Sequence, residues 1–319
     1  MAIVNDFGRA LSDAFGAGRI GAGVPLAPFT TFKVGGSAEW FVETRTSDEI
    51  VTAVTLAHAA GVRVTMLGGG SNVLISDAGI RGLVIRTRGG IITSVAPDRV
   101  SADAAVTING LVRWTIGRGY GGLEAWAGTP GTIGGAIFGN AHFGGRLIGE
   151  LVAEARLISR DGGLTSVPGE AMGFGYDRSR LQETGEVLLT AVFRVSPGEP
   201  AILRATARQS LAYRKGTQPL DTPNAGCVFQ NPDPARDRVP AGIPWSAGAL
   251  VDRAGLKGAA AGRARVSPVH GNFIVNEGGA TSRDVRRLIA RCRDAVGQRF
   301  GVELREEIVL LGEHDDAAD

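Results

Sequence analysis

The sequence has few of the features that mark whole classes of proteins. Its two cysteines, Cys227 and Cys292, lie far apart without a CxxC pair, which indicates neither a disulfide framework nor a zinc site. Its four histidines show no metal-ligand spacing, so we expect no metal site. Neither sign of charge predominates, because 34 Lys and Arg stand against 32 Asp and Glu, scattered along the chain. We therefore expect no nucleic-acid partner.

Long apolar segments are also missing. The longest uncharged stretch, 125–145, contains seven glycines and several polar residues, too many for a membrane span. The first residues lack the basic and apolar regions of an export signal, and predict instead an amphipathic helix with Phe7, Leu11 and Phe15 on one face. These features predict a cytoplasmic protein without membrane contact.

Glycine is in excess, with 48 among 319 residues, about twice the usual ~7%. Residues 117–122 match GxGxxG but follow a helical pattern, so we interpret them as the end of a helix. Residues 67–72 follow a predicted strand and could form a nest for a pyrophosphate, although a tight turn explains their composition slightly better. Residues 127–145 form either an irregular packed loop or a backbone surface for a flat ligand. Together, the last two stretches favour a dinucleotide between them.

The order of helix and strand signals divides the chain into three predicted parts: 1–88, 89–197 and 198–319. The first contains a β-α-β unit whose helix begins with a Thr46–Glu49 capping box. The second is rich in short strands. The third contains a helix capped by Thr281 and Asp284 with Cys292 on its core side, then a strand over 302–312 and a frayed tail over 314–319.

Cys227 lies in a turn-rich segment, 223–232, which indicates the edge of a functional site. A thiol with a pKa of ~8.5 is mostly protonated at neutral pH and can donate a proton. The rival interpretation is nucleophilic catalysis with His270 as the base, although no local cysteine-protease signature surrounds Cys227.

Seven segments resemble the family of UDP-N-acetylenolpyruvoylglucosamine reductase (MurB). They follow one another in the family's order and span nearly the whole chain, so together they are highly specific. The segments are 30–41, 66–85, 122–145, 223–232, 246–258, 270–285 and 302–312.

The resemblance implies an enzyme of bacterial peptidoglycan synthesis, a UDP-N-acetylmuramate dehydrogenase. Such an enzyme contains FAD and uses NADPH to reduce UDP-N-acetylglucosamine enolpyruvate to UDP-N-acetylmuramate. The implied fold is α+β: a two-subdomain FAD-binding module of the vanillyl-alcohol oxidase/PCMH type, then a C-terminal substrate-binding domain whose last strand returns toward the flavin site. An FAD-dependent alcohol or sugar oxidase of the same fold and a non-redox nucleotide-sugar binding protein remain as alternatives. A monomer is compatible with the sequence, which does not set the oligomeric state.

The family's ligand-binding positions carry over residue by residue. Two groups are implied to bind FAD and a third to bind the UDP-sugar. The pyrophosphate loop is Leu67, Gly68, Gly69, Gly70, Ser71 and Asn72; the flavin loop is Gly128, Thr129, Pro130, Gly131, Thr132, Gly134 and Asn140; the substrate contacts are Tyr176, Lys215 and Asn231.

Two catalytic positions carry over directly. Cys227 stands where the family usually has a serine that donates a proton, and both side chains carry one transferable proton. Glu307 matches the family's second catalytic acid. Two residues later, Val309 stands where many relatives have an arginine thought to contact the flavin, so that contact is absent or replaced.

The third catalytic position departs from the family. The family pattern is Tyr-Arg-x-Ser, whereas residues 176–179 read Tyr-Asp-Arg-Ser, which places Asp177 where a cation should stabilise the enolate. We expect Arg178 to take that role. Arg180 is the alternative, because strand alternation would put both arginines on one face.

Overall fold

The structure, a computed structural model, describes residues 2–314, and for residues 2–5 it describes only the backbone. The chain forms two compact units. Unit 1 comprises Met1–Val24, Glu39–Gly69 and Arg81–Tyr213, and unit 2 comprises Pro25–Ala38, Gly70–Ile80 and Arg214–Asp319. Each unit is built from three separate stretches of the chain. The division into 1–88, 89–197 and 198–319 used consecutive segments, and it stays a prediction. The predicted tail lies almost wholly outside the described residues.

The helices differ widely in length. The α-helices are α1 (Ala2–Phe15), α2 (Ser47–Ala59), α3 (Ile108–Gly117), α4 (Ile133–Phe138), α5 (Leu181–Thr184), α6 (Pro200–Thr217), α7 (Ala247–Arg253) and α8 (Ser282–Phe300). Short 3-10 turns are Ala17–Arg19, Ala27–Phe29, Glu124–Trp126, Ile148–Leu151 and Gly169–Met172. None of the described helices combines the length and the apolar composition needed to cross a membrane.

The strands are mostly short. They are β1 (Ile20–Pro25), β2 (Ser37–Thr44), β3 (Val64–Leu67), β4 (Val73–Ile75), β5 (Ile80–Thr87), β6 (Ile92–Ala96), β7 (Arg99–Asp103), β8 (Tyr120–Gly121), β9 (His142–Phe143), β10 (Arg146–Leu147), β11 (Val152–Ile158), β12 (Leu164–Pro168), β13 (Val187–Arg194), β14 (Ser196–Pro197), β15 (Ala260–Ala261), β16 (Ala264–Val266), β17 (Ile274–Asn276) and β18 (Val309–Leu311).

The described part of unit 1 contains a four-stranded and a five-stranded sheet, besides the two-stranded pairs β9–β10 and β8–β14. The four-stranded sheet has the strand order β1-β2-β5-β3, with β3 parallel to β5. The predicted face of α1 is confirmed, because Phe7, Leu11 and Phe15 are buried in the same core as α2. The predicted capping box of α2 is half formed: the Thr46 side chain accepts from the N–H of Glu49, but the Glu49 carboxylate accepts from Arg45 N.

The second sheet of unit 1 is antiparallel, in the order β12-β11-β13-β7-β6. Helices α3 and α4 pack on its apolar core, which includes the fully buried Trp126 and Phe193. The GxGxxG stretch is the end of a helix, as predicted: α3 ends at Gly117, and Gly119 has a φ of 72°, which favours glycine.

Unit 2 contains the sheet β15-β16-β17, the parallel pair β4 and β18, and helices α7 and α8. The predicted capping box of α8, Thr281 with Asp284, is confirmed, and Cys292 is buried in the core. The prediction of a strand over the whole of 302–312 is wrong, because only Val309–Leu311 pair in a ladder with β4. The preceding residues bond singly to the segment around Phe229, with which Glu306 forms an isolated bridge.

Candidate active site

Loop 67–72 connects β3 to β4 and runs from unit 1 into unit 2. In unit 1 its first glycines touch the other glycine-rich loop, because a Cβ on Gly69 would lie 2.7 Å from the Cα of Gly131, and one on Gly68 would meet the Thr132 hydroxyl. The structure thus brings two predicted cofactor loops together, and glycine is what allows their backbones to approach so closely.

In unit 2 the rest of this loop is held through its carbonyl groups. Gly70, with a φ of 61°, accepts from the N–H of Thr31 at 3.0 Å. Asn72 accepts from Val309 N at 2.9 Å and donates from its side chain to the carbonyl of Glu307 at 3.1 Å. Among the described residues, none accepts a hydrogen bond from the backbone N–H groups of Gly69 or Gly70. Two adjacent N–H donors of this kind fit the phosphate group of a dinucleotide.

The second glycine-rich loop is fixed by the residues that begin α3. Asn109 holds it on both sides, accepting from Gly128 N at 2.7 Å and donating to the carbonyl of Thr129 at 3.0 Å. The carbonyl of Gly131 accepts from Ile108 N at 3.1 Å. Positive φ angles of 82° at Gly128 and 109° at Gly131 exclude most other residues. The result is a rigid backbone surface with few side chains, which fits a flat ring system.

Asn140, a predicted cofactor contact, is fully buried just after α4. Its side-chain amide donates to the carbonyl of Gly175 at 2.7 Å, and its carbonyl oxygen accepts from Gly149 N at 2.8 Å. The amide nitrogen therefore ties the end of the glycine-rich loop to residues 175–179, and the amide oxygen ties it to the turn Ile148–Leu151.

Residues 175–179 form a tight turn. Gly175 and Arg178 exchange both backbone hydrogen bonds, at 3.0 and 3.2 Å, and Asp177 between them has a φ of 53°. The prediction that strand alternation places Arg178 and Arg180 on one face is therefore wrong, because this segment is not a strand.

The two arginines of this turn pair with different acidic side chains. Arg178 forms an ion pair with Glu183, and its side chain is 62% exposed. Arg180 makes two hydrogen bonds to Glu186, at 2.9 and 3.1 Å. The predicted cation is thus bound to a surface glutamate in this structure.

Cys227 lies in unit 2, half-buried, on a segment that runs beside Glu307. The residue after it, Val228, donates to the carbonyl of Asn272 at 2.8 Å and accepts from Glu307 N at 2.8 Å. The Asn272 side chain fixes Phe229, the next residue, by accepting from its N–H at 2.9 Å and donating to its carbonyl at 2.7 Å. The structure therefore brings the chain segments of two predicted catalytic residues together.

The three predicted substrate contacts, Lys215, Asn231 and Tyr176, lie at a helix end, on an irregular segment and in a turn, respectively. Lys215 is exposed in the last turn of α6. The side-chain oxygen of Asn231 accepts from Ala247 N, the first residue of α7, at 3.1 Å. Tyr176 stacks on His142, with the ring centres 4.7 Å apart.

Sequence reasoning missed Arg214, whose side chain belongs to the buried face of α6. Burial lowers the pKa of its guanidinium to about 10, an effect partly offset by its electrostatic interaction with the Cys227 thiol. The sequence did contain a signal for its burial, the helical spacing of Leu203, Ala207, Ser210 and Arg214. These four residues form one buried stripe of α6, to which Lys215 does not belong.

Comparison with known proteins decides the family. The model of the UDP-N-acetylenolpyruvoylglucosamine reductase C-terminal domain matches residues 218–311, and that of an FAD binding domain matches 38–167. A UDP-N-acetylenolpyruvoylglucosamine reductase of Synechococcus sp. (strain JA-3-3Ab) is 40% identical over 303 residues, 94% of each chain. The chain belongs to the UDP-N-acetylenolpyruvoylglucosamine reductase family.

Other members agree with this assignment. The Geobacter metallireducens reductase is 38% identical over 290 residues, covering 91% of this chain and 93% of its own. The crystal structure of MurB from Thermus caldophilus superposes with a TM-score of 0.75 at 30% identity, over 90% of this chain and 97% of the other. The resemblance drawn from the sequence is confirmed, as is the α+β fold with an FAD-binding module of the vanillyl-alcohol oxidase/PCMH type.

Membership of this family overturns the alternative of a Cys–His nucleophile. Nδ1 of His270, the base in that alternative, accepts a hydrogen bond from Asn272 N at 3.1 Å, and burial lowers the pKa of its imidazole.

Proposed function

We infer that this chain is a flavin-dependent UDP-N-acetylmuramate dehydrogenase of bacterial peptidoglycan synthesis, which uses FAD and NADPH to reduce UDP-N-acetylglucosamine enolpyruvate to UDP-N-acetylmuramate. The observation that supports this most directly is the hydrogen bond from Glu307 N to Val228 O, because it joins the segments of the expected proton donor and the expected second acid. Its partners are small molecules, and we place the enzyme in the cytoplasm, where NADPH is available.

FAD, when bound, accepts hydride from NADPH and delivers it to the substrate. We assign its pyrophosphate to loop 67–72, because the N–H groups of Gly69 and Gly70 are donors of the kind that bind an anionic ligand. We assign the flavin to the backbone of 128–134, which Asn109 holds in place. Asn140 fixes the end of the glycine-rich stretch through its hydrogen bonds to Gly149 and Gly175.

The proton follows the hydride. Once hydride has reached the β-carbon of the enolpyruvyl group, negative charge develops on the α-carbon and its carboxylate. The Cys227 thiol donates the proton from Sγ to the α-carbon, which completes the addition of two hydrogens across the double bond. We propose that Glu307 contributes to the stabilisation of the enolate-like state.

The remaining roles concern binding and charge. We propose Tyr176, Lys215 and Asn231 as substrate contacts, with the exposed ammonium of Lys215 on the phosphates of the UDP group. Arg178 is the sequence-based candidate for the stabilising cation. To act so, its guanidinium would have to leave Glu183.

A steady-state assay tests this function. We expect NADPH consumption by the FAD-containing protein to depend on UDP-N-acetylglucosamine enolpyruvate, and the product to be heavier than the substrate by two hydrogens in mass spectrometry. NADPH consumption that needs oxygen and ignores the enolpyruvyl ether would indicate an oxidase, and a folded protein that binds no FAD would indicate a binding protein.

A further inference from the structure

The segment that leads into β18 alternates between buried and more exposed side chains, as an extended chain does. Glu306 occupies its buried row, and its side chain is only 17% exposed. A carboxylate in such a place is costly unless a cation or hydrogen-bond donors compensate it. The other members of the row are apolar and belong to the core of unit 2: Val302, Leu304 and Ile308.

Helix α8 supplies the compensating charge. One guanidinium nitrogen of Arg286, Nη1, donates to both carboxylate oxygens of Glu306, at 3.0 and 3.1 Å. The Arg286 side chain is 19% exposed, so water and salt screen this ion pair less than one at the surface. Arg293, later in α8, lies 3.4 Å from the same carboxylate, but its side chain is 45% exposed. Arg286 is therefore the main partner of Glu306.

Arg286 stands on a firmly held part of α8. The helix begins just before it, at the capping box of Thr281 and Asp284. The Asp77 carboxylate also holds this end, because it accepts from the N–H groups of Ser282 and Arg283 at 2.8 and 3.1 Å. The guanidinium thus offers the Glu306 carboxylate a fixed position.

The backbone of Glu306 is joined to the segment of the expected proton donor, Cys227. Glu306 faces Phe229 in an isolated antiparallel bridge. The next residue, Glu307, donates from its N–H to the carbonyl of Val228 at 2.8 Å. The alternation of the chain places the side chain of Glu307 on the face opposite to that of Glu306. A displacement of Glu306 therefore also displaces Glu307.

We propose that Arg286 is a positioning residue for Glu307: it holds Glu306 against α8 and thereby fixes the neighbouring catalytic acid. This proposal rests on the proposed function, which gives Glu307 its part in the stabilisation of the enolate-like state. Arg286 acts through Glu306 and not on the substrate. All three residues belong to unit 2, so the arrangement lies within one compact unit.

The first test separates the two half-reactions in the FAD-containing enzyme. For Arg286→Gln we expect bleaching of the flavin absorbance by NADPH within about twofold of wild type. Its return with UDP-N-acetylglucosamine enolpyruvate should be slower by about 10-fold, because a small displacement of a catalytic group is enough to cost rate. Glu306→Gln breaks the same ion pair from the other side and should give the same loss.

Two matched variants control for the loss of an arginine. Arg287→Gln changes the next residue of α8, which is exposed. Arg265→Gln breaks another ion pair of unit 2, in which the guanidinium makes two hydrogen bonds to Glu277, at 2.6 and 3.1 Å. Both variants should keep both half-reactions within about twofold of wild type.

The second test distinguishes positioning from a general loss of stability. We expect Glu307→Gln alone to slow the substrate half-reaction by about 10²-fold, the loss for one stabilising group. Arg286→Gln added to that variant should slow it by less than twofold more, because the carboxyl group that Arg286 positions is gone. If Arg286→Gln does not fold, Glu306→Gln, whose carboxamide keeps the shape of the side chain, replaces it in both tests.

Three results would overturn the proposal. One is a substrate half-reaction within twofold of wild type in both Arg286→Gln and Glu306→Gln. Another is a further 10-fold loss when Arg286→Gln is added to Glu307→Gln, which would show that the arginine acts independently of the acid. The third is an unchanged rate in Glu307→Gln alone, which would leave no acid to position. If the wild-type flavin absorbance does not return with the enolpyruvyl ether at all, the proposed function fails, whatever Arg286 does.

Discussion

Cys227 and Cys292 differ in the two properties that govern thiol reactivity. Cys227 is half-buried on an irregular segment, whereas Cys292 is 1% exposed in the core of α8, where burial raises the pKa of its thiol to about 12. Thiol reagents attack thiolates, and a thiol with such a pKa carries almost none below pH 9. We expect one fast-reacting thiol in the folded protein at pH 8 and two after denaturation, counted with a chromogenic disulfide. Cys227→Ser should abolish the fast phase; its persistence in that variant would contradict this account.

The role of Cys227 predicts a split between the two half-reactions. Cys227→Ala should leave NADPH-dependent bleaching unchanged and slow the substrate-dependent return by about 10²-fold or more, because the α-carbon loses its proton donor. Cys227→Ser, which retains a transferable proton, is the matched control and should remain competent. Equal losses in both half-reactions, measured by anaerobic stopped flow, would count against this role.

Gly69 is the position at which the two cofactor loops are closest. In Gly69→Ala the new Cβ would meet backbone at Gly131, at 2.7 Å, so the loops must separate. We expect a loss of about 1–3 kcal/mol in the free energy of unfolding and a lower content of bound FAD. Gly117→Ala is the matched control, since nothing lies within 4 Å of its Cβ at the end of α3. It should be neutral or slightly stabilising, and equal effects of the two changes would refute the packing argument.

Single residues also mark the limit of what the sequence could predict. The ligand loops and Cys227 were identifiable from their chain neighbours, because glycine and turn residues act locally. His142 and Asp177 are 35 positions apart in the sequence, and only the fold brings Nε2 of His142 to 3.2 Å from Oδ1 of Asp177. The assumption that strand alternation puts Arg178 and Arg180 on one face was wrong, since the chain turns at Asp177, where φ is 53°.

At the scale of elements, local signals predicted the helices better than the strands. Helix α8 begins where its cap residues predict, because Thr281 and Asp284 act within one turn of the chain. Strand β18 is shorter than predicted, because a strand extends only as far as its partner, and β4 has three residues.

The capping box of α8 gives a prediction about stability. Thr281→Ala removes the hydroxyl that accepts from Asp284 N at 3.0 Å, which should cost about 1 kcal/mol. The loss stays modest because Asp77 also caps this helix, accepting from Ser282 N at 2.8 Å and Arg283 N at 3.1 Å. Thr281→Ser retains the hydroxyl and should unfold in urea close to wild type. A serine variant as unstable as the alanine variant would exclude the cap as the cause.

At the scale of the whole molecule, the composition of unit 2 could not be predicted from chain order. Its core includes Phe32, Val34 and Leu74 from the first quarter of the chain, together with residues of α7 and α8. The periodicity of apolar residues indicates that they are buried, but it does not indicate which other segments of the chain they pack against. The order of the seven family segments did predict the fold class and the cofactor, because each segment preserves the local geometry of one loop or cap.

This molecule passes hydride from NADPH to an enolpyruvyl ether through bound FAD. The most direct measurement is the visible spectrum of the purified protein under anaerobic conditions, recorded before and after NADPH and again after UDP-N-acetylglucosamine enolpyruvate. We expect a flavin band that bleaches with NADPH and returns with the enolpyruvyl ether. A band that bleaches and then returns only when oxygen is admitted would contradict it.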